Sequence, residues 1–238
     1  MHASARRTHI AVWFAIAALL AMPSAPADAK KGGEWNPVIV PGNFVTTVDN
    51  EYFPLVVGQT RKYRADTKEG LVTVDIEVPG QTKVVMGVTT TVMIEREKLD
   101  GQTVEVSENW FAQDTDGNVW YFGEFSQKYE NGVPAGTPGS WEAGVGGALP
   151  GIIMRANPQR GDAYFQEFAP GVAEDQAEVR STTETTTVLQ SSQSGVVLTR
   201  DWTSLEPGSV EKKYYAPGIG LVMEVKGNER LELFQIVN

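Results

Sequence analysis

The chain has 238 residues, a formal net charge of −10, two histidines and no cysteine. Both histidines, His2 and His9, precede the expected export cleavage point, so the mature chain holds neither His nor Cys. That excludes Ser-His-Asp and Cys-His nucleophile pairs, zinc sites with His or Cys ligands, His-ligated haem and iron–sulfur clusters.

Residues 1–29 read as a signal peptide. Arg6 and Arg7 supply the positive start, Ile10 to Met22 is an apolar run too short to span a bilayer comfortably, and Ala27-Asp28-Ala29 suits cleavage before Lys30. No Cys follows the run, which excludes a bacterial lipid anchor on cysteine. A soluble periplasmic or secreted product is expected, with no integral membrane segment after signal removal. Loss of Arg6, Arg7 and Asp28 leaves 18 basic against 29 acidic residues, and no sizeable basic cluster survives. Nucleic acid and anionic membrane surfaces are therefore not expected partners.

Residues 30–49 form an expected extended arm, broken by Gly32, Gly33, Pro37 and Pro41. One β-rich domain is expected over 50–238. Leu71, Thr73, Asp75 and Glu77 alternate with Val72, Val74, Ile76 and Val78, a mostly polar strand face against an apolar one. Lys83 to Leu99, interrupted at Gly87, reads as a hairpin or bent strand. Strand patterns continue at 103–113, 119–126, 163–168, 173–181, 186–190, 196–205, 211–216, 221–226 and 231–237. No amphipathic helix longer than about ten residues is legible. Closely spaced short strands predict a mainly β fold, a curved antiparallel sheet forming a half-barrel or sandwich. Residues 132–151, rich in Gly and Pro, read as one long loop that could act as a lid.

Asp114-Thr115-Asp116-Gly117-Asn118 is a hairpin-turn signal, because Asp and Asn bond their own backbone and Gly supplies positive φ. Asp114, Asp116 and Asn118 also have the spacing that opens a calcium loop, although Glu124 falls one position early for an EF-hand. Trp110, Trp120 and Phe122 are expected on one face of this hairpin, and Phe111 and Tyr121 on the other. Trp110, Trp120, Tyr121, Glu124, Trp141 and Glu142 are candidate ligand-binding residues, as an aromatic platform with nearby carboxylates. Further on, a turn with Pro170-Gly171 at its tip would pair Phe168 with Ala173 and face Glu167 with Glu174. Like charges so placed need a cation, a basic neighbour such as Arg155, Arg160 or Arg180, or a raised pKa. Glu167, Glu174 and Asp175 thus form a second candidate calcium set. Paired carboxylates such as Glu108, Glu124, Glu142 and Glu167 could also serve glycoside hydrolysis. Ser209 and Lys212 have Ser-Lys dyad spacing but precede a strand, where residues three apart face opposite sides.

Asn50-Glu51-Tyr52-Phe53-Pro54-Leu55, with Gly58 and Tyr63, resembles the opening of exported bacterial domains of unknown function. Tyr214 to Val222 resembles a glycine-marked strand entry in the same domains. The run Gln113 to Glu124, with Ser140 to Gly144, resembles one uncharacterised secreted family among them. Some such domains are similar to lipoprotein carriers of the LolA kind, which implies a curved sheet holding an acyl chain. The resemblance implies no catalytic residues.

Three functional readings follow. The favoured one is a non-catalytic binding domain for a lipid or other apolar small molecule, with a saccharide as another partner. The others are a carboxylate-dependent hydrolase and a calcium-stabilised interaction module.

Overall fold

The computed structural model describes residues 35–238, so the expected signal segment and both histidines lie outside the described residues. Residues 35–40 are extended and lead to a single 3-10 turn, Pro41–Asn43, and a short strand β1 (Phe44–Val45). The first half of the sheet holds β2 (Thr60–Asp66), β3 (Leu71–Glu77), β4 (Thr82–Val85), β5 (Val88–Leu99), β6 (Gln102–Asp114) and β7 (Val119–Glu130). Between the halves come β8 (Val133–Gly136), β9 (Trp141–Glu142), β10 (Leu149–Met154), β11 (Ala163–Phe165) and β12 (Glu167–Phe168). The second half holds β13 (Asp175–Val188), β14 (Ser191–Thr203), β15 (Val210–Ala216), β16 (Gly220–Lys226) and β17 (Glu229–Val237). The fold is mainly β and antiparallel, as the strand spacing predicts.

The sheet is nearly closed into a barrel. One arm runs β2-β3-β5-β6-β7-β10 and the other β2-β17-β16-β15-β14-β13. Residues 163–168 join the two ends. β11 pairs with β13, then β12 leaves that partner and pairs with β10. Closure removes the exposed edges that an open sheet of this length would present.

Period-2 patterning makes the strands. In β3, Val72, Val74 and Ile76 are buried while Thr73 and Asp75 face outward, so the alternation read from the sequence is reproduced. β4 and β5 form the hairpin expected around Gly87, with Met86 and Gly87 both at positive φ. β6 and β7 form the one expected around Gly117, with Gln113 opposite Val119.

The stretch 132–151 differs from the expected loop. It carries β8, β9 and the start of β10, and it folds back onto β7. Ser140 Oγ accepts the Ser126 backbone N–H at 2.9 Å, and Trp141, Ala143 and Ala148 are buried. A glycine of β7 lets it come close. Gly123 has φ +130, and a Cβ there would stand 2.4 Å from the Trp141 carbonyl oxygen.

Gly151 is the tightest point of closure. A Cβ there would lie 2.2 Å from the Gln166 carbonyl oxygen, at the place where the chain switches from β13 to β10. Gly151→Ala is expected to lower stability by about 1–3 kcal/mol, because backbone rather than a yielding side chain must move. Urea denaturation measures this; a loss within error of zero would show that the closure segment is not held against β10.

Candidate functional site

The interior face of the barrel mixes apolar residues such as Tyr63, Val74 and Ile76 with a cluster of carboxyls. Glu95, Glu97, Glu105, Glu124, Glu167, Asp201 and Glu224 are buried, against two buried basic residues among the described residues, Arg61 and Lys213. The register puts them on one face. Glu97 stands opposite Glu105 and Glu95 opposite Ser107, while Asn109 stands opposite Glu124. Lys213 lies between Thr199 and Glu224 on neighbouring strands.

A β-bulge builds one wall. Tyr121 and Glu124 are three residues apart and would face opposite sides of a regular strand. The ladder shifts between Asn109 and Phe111, and Gly123 takes its positive φ, so both side chains turn inward. Phe111 stacks on Tyr121 at 4.6 Å between ring centroids, and Trp141 meets Tyr121 edge-on at 5.5 Å. The Tyr121 hydroxyl donates to Asn109 Oδ1.

A cavity of about 60 Å³ lies inside, lined by carboxyls (Glu95, Glu167, Asp175), amides (Asn109, Gln166), the two cations and apolar side chains such as Phe53, Met93 and Ile153. Burial raises the Glu95 pKa, helped by Glu97, Glu105 and Glu124. Burial, then Asp175 and Glu124, raises that of Glu167. Glu124 is pushed up to about 8 by burial and the Glu105 charge. Asp175 rises to about 6 through burial, against the pull of Lys213. Burial alone would lower the Lys213 pKa, but Asp201, Glu224 and Glu211 more than reverse it. Its ammonium stands 3.3 Å from Asp201 and 3.7 Å from Glu211, which also meets Lys226 at 2.8 Å.

The Asn50-to-Leu55 motif packs beside the cavity. Asn50 Oδ1 accepts the N–H groups of Tyr52 and Phe53, and Asn50 Nδ2 donates to the carbonyls of Gly117 and Arg155. This fixes a turn that presents Phe53 to the cavity, 5.0 Å from the Phe111 ring. The second resembling segment meets the first. The Gly218 N–H donates to the Glu51 carbonyl at 2.7 Å, and Gly220 lies against Pro54 and Arg61. Arg61 donates to the Pro54 carbonyl and ties this plug to the barrel wall.

The expected ligand residues divide among three places. Tyr121, Glu124 and Trp141 gather in the interior. Trp110 and Glu142 belong to a separate cluster, where the Lys83 ammonium sits 3.2 Å from the Trp110 ring centroid and 2.6 Å from Glu142. Trp120 packs with Trp35 and Phe44, and its N–H donates to Asp114. Phe122 also meets Phe44, on the face opposite Tyr121 as expected.

The two expected calcium sets are also placed differently from one another. Asp114 already accepts four hydrogen bonds, from Asp116 N, both donors of Asn118 and Trp120 Nε1. Asn118 Oδ1 accepts the Ala156 N–H. These contacts are those of a turn. The second set is split. Ala169, not Phe168, pairs with Ala173, so the turn has three central residues and the expected pairing of Phe168 with Ala173 does not form. Glu167 turns inward with Asp175. Glu174 stays at the turn, accepting from Gly171 N and Ser204 Oγ. Among the described residues, no group of three or more His, Cys, Asp or Glu is arranged to hold a metal ion. The basic neighbour of Glu167 is Lys213, whereas Arg180 pairs with Glu178 and Arg155 lies over Tyr164.

Glu95, Arg61, Gln166 and Lys213 were not among the expected site residues. Glu95 alternates along β5 as a residue of a solvent-facing sheet would, and Gln166 falls between two strands, so neither stands out in the sequence.

No family model and no curated protein matches the chain. Among solved structures, the crystal structure of a "putative lipoprotein" from Parabacteroides distasonis is similar over 79% of this chain and 99% of its own, at 11% identity and a TM-score of 0.41. No helix among the described residues is long and apolar enough to cross a membrane.

Proposed function

We propose that this chain is an exported, non-catalytic binding domain that holds a small molecule inside its barrel. The observation that carries this is the cavity inside the barrel, walled by aromatic rings, aliphatic side chains and buried polar groups. On this wall Glu167 Oε2 and Gln166 Nε2 are buried and find no hydrogen-bond partner among the described residues. Buried polar atoms are nearly always bonded, and exceptions mark places where something else binds. The volume favours a ligand of a few atoms over an acyl chain, and the carboxyl lining favours a polar ligand over a hydrocarbon.

Native mass spectrometry of protein purified without refolding tests the reading. A bound mass of roughly 100 Da or less is expected from the cavity size, lost on denaturation and absent from Met93→Phe, which fills the cavity. A mass of several hundred daltons that survives Met93→Phe would overturn it and favour a lipid held elsewhere. A chelator-sensitive mass of one calcium ion would favour the calcium-stabilised module.

A further inference from the structure

We infer that the cavity takes a free, small organic ammonium ion bearing a hydrogen-bond acceptor beside its nitrogen, the chemistry of an aminoalcohol. The inference rests on the small-molecule reading above and names its ligand class.

Charge comes first. The two cations of the cavity wall already have acceptors. Lys213 faces Asp201 and Glu211, and Arg61 donates to the Pro54 carbonyl and to Gln59 Oε1. On the same wall Glu167 is nine-tenths buried beside Asp175, and its Oε2 has no hydrogen-bond partner among the described residues. A cation there favours the ionised form of Glu167, which burial, Asp175 and Glu124 disfavour, whereas an anion adds to their effect.

The acceptor follows from Gln166. Successive residues of a strand point to opposite faces. Gln166 and Glu167 nonetheless both line the cavity, because the chain changes partner from β13 to β10 between them. Gln166 is 2% exposed, and its Nε2 is a donor with no acceptor among the described residues. One wall therefore offers a carboxyl oxygen and an amide donor side by side, neither with a partner among the described residues. An ammonium with a neighbouring hydroxyl answers both. The rings of Phe53, Phe111 and Tyr121 complete the wall, and aromatic faces attract cations.

Size sets the limit. A cavity of about 60 Å³ has room for about four to six non-hydrogen atoms, by the space that a buried water occupies. Ethanolammonium, with four non-hydrogen atoms, has that size.

Isothermal titration calorimetry at pH 7 with ethanolamine, ethylene glycol and propionate tests the inference on the full mature chain. Ethanolammonium is expected to bind at least tenfold more tightly than either other probe. Burial, Asp175 and Glu124 raise the Glu167 pKa, and a bound ammonium would lower it again, so binding should release protons, read as a difference in heat between HEPES and phosphate buffers. Glu167→Gln should weaken binding at least tenfold and abolish the proton release. Asp175→Asn is the second variant should Glu167→Gln fail to fold. Glu174→Gln, at the neighbouring turn, should bind as the parent does. Ethylene glycol or propionate binding as well as ethanolammonium would overturn the cation and leave the binding domain standing. No binding of any probe, with an unliganded native mass, would overturn both. Co-sedimentation with phosphatidylethanolamine vesicles in place of free binding would overturn the free ion in favour of a headgroup.

Discussion

Lys213→Met is expected to lower stability by about 3–5 kcal/mol at pH 7, a large part of what a domain of this size has to lose. Lys213 is the buried cation of the second half of the barrel, and Asp201, Glu211 and Glu224 surround it. Methionine keeps the length of the stem but removes the charge. Glu211 retains Lys226 at 2.8 Å. Asp201 and Glu224 must then take up protons or remain buried without a counter-charge. The defect should therefore shrink at pH 5, where proton uptake is easier. Urea denaturation at both pH values measures it. A loss below about 1 kcal/mol at pH 7 would show that water, not Lys213, screens these carboxyls.

Stability should also fall as pH rises from about 5 to 8, opposite to the usual behaviour of paired surface carboxylates. The ordinary pKa of Glu124 is 4.5, and in the folded chain it is about 8. The folded state thus holds a proton that the unfolded state has released, so its contribution is complete below 4.5 and lost as pH passes 8. Asp175, raised from 3.8 to about 6, acts in the same sense over a lower window. Each such group contributes a slope of at most about 1.4 kcal/mol per pH unit. Glu124 alone accounts for about 3 kcal/mol between pH 5 and 8. Glu124→Gln, which keeps the shape of the protonated acid, should flatten the slope by about one proton and stabilise the chain at pH 8. An unchanged slope in this variant would place the missing proton on another carboxyl.

These effects would not be anticipated from the composition. Glu95, Glu97 and Glu105 look like ordinary solvent-facing positions of alternating strands. The alternation tells which residues share a face but not whether that face meets water. In an open sheet it would; in a barrel it becomes the lumen. The Glu167 pairing shows the same limit at a single residue. The Pro170-Gly171 turn was legible, but its length was not, and one added central residue pairs Ala169 with Ala173 instead of Phe168. The bulge at Gly123 likewise brings Tyr121 and Glu124 to one wall, which no count of intervening residues predicts.

The sequence by itself determined the mainly β class, most strand positions outside β2 and β8 to β10, the hairpins at Gly87 and Gly117 and the absence of cysteine chemistry. Each rests on local physics: side-chain period, turn conformation and residue inventory. Tertiary structure alone decided that the sheet nearly closes, that residues 132–151 fold back onto β7, and that carboxyls from strands far apart in sequence share one cavity. Closure depends on the close approach of Gly151 to Gln166, two backbones more than a dozen residues apart. Only that meeting turns a polar strand face into an enclosed acidic site.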